Sequence, residues 1–155
     1  MVIQRLQSLL LLVAAAVMGC FTFCSIAQIQ TTDFTFNFTS LGFYQEGIPT
    51  DGVTDSVIHT WYFFALSLTT TLLLLIDIFL FKNLPLQKKV CIVAIMLTVA
   101  SVVTCGCLAY NMAGNGFITW SPLVCAPFLA IIASIMAWNC MQRDYNTLKA
   151  VDRIR

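Results

Sequence analysis

In the stretch TTTLLLLIDIFLFKN, Asp77 sets a carboxylate among leucines and phenylalanines. An acid in such a place can carry a proton or an ion through an apolar layer, or it can hold helices together. Asp77 precedes Lys82 by five residues, about 7.5 Å along a helix and about 140° around it, so Lys82 is an awkward partner. Arg5, Lys88, Lys89 and Arg143 are the candidate charge partners, approaching from other helices at the same face. Asp77 is therefore expected to face the inside of a bundle, with the clamp and the ion site both open. His59, the single histidine, lies about 27 Å away along the same helix and reads as a helix-end residue one turn after Asp55. Cys20, Cys24, Cys91, Cys105, Cys107, Cys125 and Cys140 all fall inside apolar runs and form no CxxC, so they read as small polarizable packing residues. A buried outer-half cluster of Cys20, Cys24, Cys105, Cys107 and Cys125 stays open as the redox alternative. No phosphate loop, nucleophile–base pair, metal-ligand spacing or nucleic-acid patch is readable, so no catalytic residue, metal or cofactor is assigned.

The elements that would position these side chains follow from composition and charge. Hydrophobic residues make up 59% of the 155 and charged residues 10%, with a mean hydropathy of +0.88; soluble domains carry roughly 25% charge. The chain reads as an all-α membrane protein of one domain, 1–155. Spanning the hydrocarbon core takes about 20 apolar residues, and four runs have that length: residues 6–29, 57–81, 90–110 and 122–141. The expected architecture is a four-transmembrane-helix bundle carrying a small extracytoplasmic β element built from two outer loops, 30–56 and 111–121. Ser121 is expected to cap the fourth helix and Pro122 to start it, while Thr54, Asp55 or Ser56 caps the second. Pro127 is expected to bend the fourth helix.

All eight basic residues fall on one side of this plan: Arg5, Lys82, Lys88, Lys89, Arg143, Lys149, Arg153 and Arg155. The other side carries Asp33, Glu46, Asp51 and Asp55. The positive-inside rule then puts both termini in the cytoplasm. Within the first outer loop, TDFTFNFTSLGFYQ alternates phenylalanine with Thr and Asn in period two, as a half-buried strand or hairpin does. FITW in the second loop can extend beside it into a small sheet. NFT at residues 37–39 fits a glycosylation acceptor, without meaning in a bacterial cell.

Small residues at helical spacing mark packing seams: Ala126, Ala130, Ser134, Ala133 and Ala137 on the fourth helix, Ala15 and Gly19 on the first, Ser101 and Cys105 on the third. They serve a monomeric bundle or, alternatively, a homo-oligomer. Trp61, Tyr62, Tyr110, Trp120 and Tyr145 lie at helix ends, where aromatic belts belong. The tail 142–155 continues the fourth helix, and Leu148, Lys149, Val151, Arg153 and Ile154 offer a stripe for anionic lipid or a partner protein. The start MVIQRLQSLLLLVAAAVMGC has the outline of a lipoprotein signal ending at Cys20, but FTFCSIAQI continues the apolar run, so a retained helix is expected.

MVIQRLQSLLLLVAA, IFLFKNLPLQKKVC and the closing RDYNTLKAVDRIR together resemble the domain of unknown function 4293 family, small four-helix inner-membrane proteins of Bacteroidota. The resemblance covers essentially the whole chain and implies an inner-membrane location with periplasmic outer loops, and no activity. The arrangement of two outer loops on four helices is also similar to claudin-like proteins, whose outer-loop Trp and Cys motif is absent here. The leading functional expectation is a non-enzymatic accessory or scaffold subunit of a membrane complex, with lipid and another membrane protein as partners and no nucleic acid. The alternatives are a small oligomeric transporter or channel using Asp77, and a membrane enzyme or thiol-redox protein.

Overall fold

The computed structural model describes residues 2–30, 35–46, 58–80, 83–114 and 116–152. In chain order these form helix α1 (Val2–Phe23), strands β1 (Ala27–Gln30), β2 (Thr35–Thr39), β3 (Gly42–Glu46) and β4 (Ile58–His59), helices α2 (Trp61–Phe79) and α3 (Leu84–Ala113), strand β5 (Phe117–Trp120), a 3-10 turn at Pro122–Cys125 and helix α4 (Ala126–Asp152). Each helix packs on two neighbours, α1 and α3 both lying against α2 and α4. The segments Trp61–Phe79, Leu84–Ala113 and Pro122–Thr147 are long and apolar enough to cross a membrane, and Gln7–Phe23 is a shorter apolar stretch.

Small and polar side chains make up much of the helix seams, beside large buried ones such as Leu11, Met18, Leu74 and Met141, while many large apolar side chains face outward. On α3 the buried positions Gln87, Cys91, Ala94, Thr98, Ser101 and Cys105 alternate steps of four and three, the spacing of a packed seam. On α4 Ala126, Ala130, Ala133, Ser134 and Ala137 are buried, which lets neighbouring backbones approach closely. Ala15 is buried on α1, and a Cβ at Gly19 would lie 3.9 Å from Thr71. The seams expected from the sequence are thus filled by the chain's own helices. Outside stand Leu9, Leu12, Leu72, Ile76, Met96, Val103, Leu129 and Ile132, all exposed. This polarity suits a lipid surround and is the reverse of a water-soluble bundle. Buried hydroxyls close on their own helices: Thr70, Thr71 and Thr98 each donate to the carbonyl four residues back.

The sheet is antiparallel, in the order β4-β3-β2-β1-β5. As the alternating phenylalanines imply, β2 and β3 form a hairpin, and FITW joins the same sheet through β1, with Ile118 opposite Ile29. Its inner face carries Ala27, Ile29, Phe38 and Phe43, all buried. Phe38 stacks on Phe43 at 4.4 Å between centroids and on Phe63 of α2 at 5.9 Å, and Phe63 meets Phe21 of α1 edge-on at 6.1 Å. This aromatic column fastens the sheet to the helix ends. Ser40 Oγ donates to Phe21 O, and Thr60 Oγ1 donates to Ser40 O.

Several boundaries differ from the sequence reading. The first helix ends at Phe23, and residues 27–29, expected to be helical, form β1 together with Gln30: Ala27 and Ile29 face the core and the two glutamines face out. The second helix starts at Trp61, because residues 58–59 pair with β3 as a strand. Its N-cap position is Thr60, whose hydroxyl bonds Ser40 O and caps nothing; Thr54, Asp55 and Ser56 lie outside the described residues. The third helix begins at Leu84, with Pro85 in its first turn, where a missing N–H is tolerated. It ends at Gly114, whose φ of 50° suits glycine. Ser121 occupies the position before the 3-10 turn, but its hydroxyl makes no cap bond; its N–H donates to Ile26 O. Pro127 is the second residue of α4, so its ring starts the helix and no i−4 hydrogen bond is lost.

Candidate functional site

Asp77 lies in the last turn of α2, at the end of the helices away from the sheet, and is fully buried, as a bundle-facing acid should be. Its main-chain oxygen accepts two hydrogen bonds: Leu80 N–H at the helix end, and Nε2 of Gln87 at 3.1 Å. Gln87 is one turn into α3, so its amide ties the end of α2 to the beginning of the next helix. It adds a second hydrogen bond to a carbonyl in the last turn, where helical partners run out. Cys91, the next seam position on α3, lies beside the Asp77 carboxyl, and its Sγ is 3.6 Å from Ser134 O on α4. Neither carboxyl oxygen of Asp77 has a hydrogen-bond partner among the described residues, and Gln87 Oε1 has none either.

Of the cations expected to pair with Asp77, one is engaged elsewhere. Lys88 Nζ sits 4.7 Å from the centroid of the Tyr145 ring, a cation–π contact between α3 and α4. Lys89 and Arg143 are exposed. With α3 starting six residues earlier than expected, Gln87 takes the inward position and the two lysines turn away from Asp77. Arg5 is on α1, and its side chain lies outside the described residues. A clamp does exist at this end, but amides make it: Gln87 to the Asp77 main chain, and Gln7 Nε2 of α1 to Asp144 Oδ2 of α4 at 2.7 Å. Sequence reasoning passed over both glutamines, although each is a polar residue at seam spacing in a membrane-type helix.

His59 is exposed on β4 opposite Gly42, at the far end of α2 from Asp77, so it is a strand residue and not a helix end. Cys105 and Cys91 are buried, whereas Cys20, Cys24, Cys107 and Cys125 are exposed on the outside of the structure. The outer-half cysteines therefore do not converge into a buried cluster. Among the described residues no three His, Cys, Asp or Glu side chains are placed to hold a metal ion. Trp61, Tyr62, Tyr110 and Trp120 are exposed around the sheet end of the helices, and Tyr145 is exposed at the opposite end, the two levels an aromatic belt occupies.

In the tail, α4 continues to Asp152 with Lys149 exposed. Leu148 and Val151 are helical, their side chains lying outside the described residues, as do Arg153 and Ile154 entirely. At this protein's opposite end β5 is one of the two edge strands of the sheet, the other being β4. There Ser121 N–H and the β1 ladder turn residues 117, 119 and 121 toward β1, so the main-chain groups of Ile118 and Trp120 point away from the sheet.

The family model described as Domain of unknown function (DUF4293) matches residues 3–154. No curated protein matches the chain.

Proposed function

Because the chain belongs to the DUF4293 family over nearly its whole length, we propose that it acts as a non-enzymatic accessory or scaffold subunit of a bacterial inner-membrane complex. In this reading it crosses the membrane four times with both termini in the cytoplasm. The apolar stretch Gln7–Phe23 of α1 extends about 26 Å at 1.5 Å per residue, within the range of lengths that cross a membrane, and supports a fourth crossing beside the three longer segments. The one-sided placement of the eight basic residues supports the orientation, which makes the sheet periplasmic.

The observation that carries the accessory role is where the polar groups go. Thr70, Thr71 and Thr98 close on their own helices, and Gln7 and Gln87 join helix to helix. What faces outward is the uncharged edge strand β5, where Phe117 and Trp120 are exposed. Exposed edges of this kind recruit strands from other chains. The test is extraction from native membranes in mild detergent after crosslinking. Migration with a larger partner, lost on replacing by Pro the β5 residue Ile118, whose N–H points away from β1, is expected; a partner-free species after crosslinking contradicts the proposal.

A small oligomeric transporter or channel is the second reading, favoured by the unpartnered carboxyl of Asp77. It predicts that Asp77→Asn abolishes ion-coupled flux in liposomes, and unchanged flux removes it.

A further inference from the structure

Between the last turn of α2 and the first two turns of α3 the structure buries three oxygen acceptors that find no donor among the described residues: both carboxyl oxygens of Asp77 and Oε1 of Gln87. Asp77 is 0% exposed and Gln87 1%. The Gln87 amide cannot be turned round to help, because its Nε2 is committed to the Asp77 main-chain oxygen and a flip would set two acceptors against each other. Of the titratable groups on neighbouring helices, Cys91 of α3 lies beside the carboxyl. Lys88 of α3 is on the Tyr145 ring and Lys89 is exposed. On α4, Asp144 takes the Gln7 amide of α1, and Arg143 is exposed. No described cation neutralises the acid.

An ionised carboxylate sealed from water with neither counter-charge nor donor is strongly disfavoured, and such a group resolves the conflict by taking up a positive charge. A proton is the smallest one, and it turns one of the three acceptors into a donor. We propose that Asp77, enclosed by Gln87 and Cys91, is a proton-binding site: a carboxylic acid held neutral within the bundle, with Gln87 Oε1 as the acceptor left open for its hydrogen. Cys91 Sγ lies 3.6 Å from Ser134 O and also beside the Asp77 carboxyl, so its single thiol hydrogen cannot satisfy both carboxyl oxygens. The site stands whether or not the protein moves ions and does not depend on the accessory role.

Infrared spectroscopy of the detergent-solubilised protein at pH 7 tests this, since water-exposed carboxyls are ionised there. The wild-type chain is expected to show the C=O stretch of one protonated carboxylic acid, and Asp77→Asn to lose it. Gln87→Leu is expected to keep the band and shift it, because the hydrogen-bond acceptor is gone; that variant decides the matter if Asp77→Asn does not fold. Absence of an acid band in the wild type, or its persistence in Asp77→Asn, overturns the proposal. So does a band that emerges only when sodium is replaced by choline, which identifies a sodium site in its place.

Discussion

Replacing Phe38 by Ala attacks the joint between sheet and helices. Phe38 is fully buried, stacked on Phe43 at 4.4 Å and on Phe63 at 5.9 Å. Truncating a buried phenylalanine costs about 3–5 kcal/mol, depending on how far the surroundings collapse into the void. Collapse is restricted here, since Phe43 is pinned by its pairing in the sheet and Phe63 by the first turn of α2. Two ring contacts, each worth about 0.5–1.5 kcal/mol beyond area, are also lost. The expected loss is therefore about 4 kcal/mol, nearly a thousandfold in the folding equilibrium at 1.4 kcal/mol per decade. Phe117→Ala is the control: at 81% exposed it should change stability by no more than about 0.5 kcal/mol. Denaturant unfolding in mild detergent, followed by tryptophan fluorescence with Trp61 and Trp120 flanking the sheet, measures both. A Phe38→Ala loss within about 1 kcal/mol of the control would refute the idea that this column holds the sheet down.

Other perturbations have equally definite outcomes. Gly42→Ala drives a Cβ into the carbonyl of Ile58 on the paired strand, so β4 should detach, with reduced strand content by circular dichroism; an unchanged spectrum and unfolding midpoint would contradict this. Ala130→Leu on the buried face of α4 should overpack the contact with its neighbours at about 1–3 kcal/mol, read as a lower unfolding midpoint, whereas Leu129→Ala on the exposed side should stay near wild type. Gln7→Leu removes a charge-assisted bond to Asp144 and should destabilise by about 1–2 kcal/mol, while Gln7→Glu, which sets two carboxylates together, should destabilise further at neutral pH and recover as pH falls.

Much of this fold could be read from the chain because a membrane imposes strong patterns. Long apolar runs located α2, α3 and α4, and phenylalanine alternation located the hairpin of β2 and β3. Strand β1 escaped notice for a physical reason: FTFCSIAQIQ stays apolar through the end of α1, and four residues of alternation are too few to separate a strand from a helix by hydrophobicity. Strand β4 is two residues long and exists by pairing with Gly42 and Phe43, a tertiary contact without local signature. At the end of the helices away from the sheet, Asp77 announced itself as a charge in an apolar helix. Its surroundings did not, since the turn between α2 and α3 is only a few residues long and its length decides whether Gln87 or the lysines face inward.

The number of crossings and the side on which each end lies decide which faces of this protein can meet a partner. The most direct measurement is a pair of fusions, each made with a reporter that fluoresces only in the cytoplasm and with a phosphatase active only outside it, joined after Gly114 and after Arg155. Phosphatase activity after Gly114 together with fluorescence after Arg155 is the predicted result. Phosphatase activity after Arg155 would contradict the arrangement with both ends in the cytoplasm.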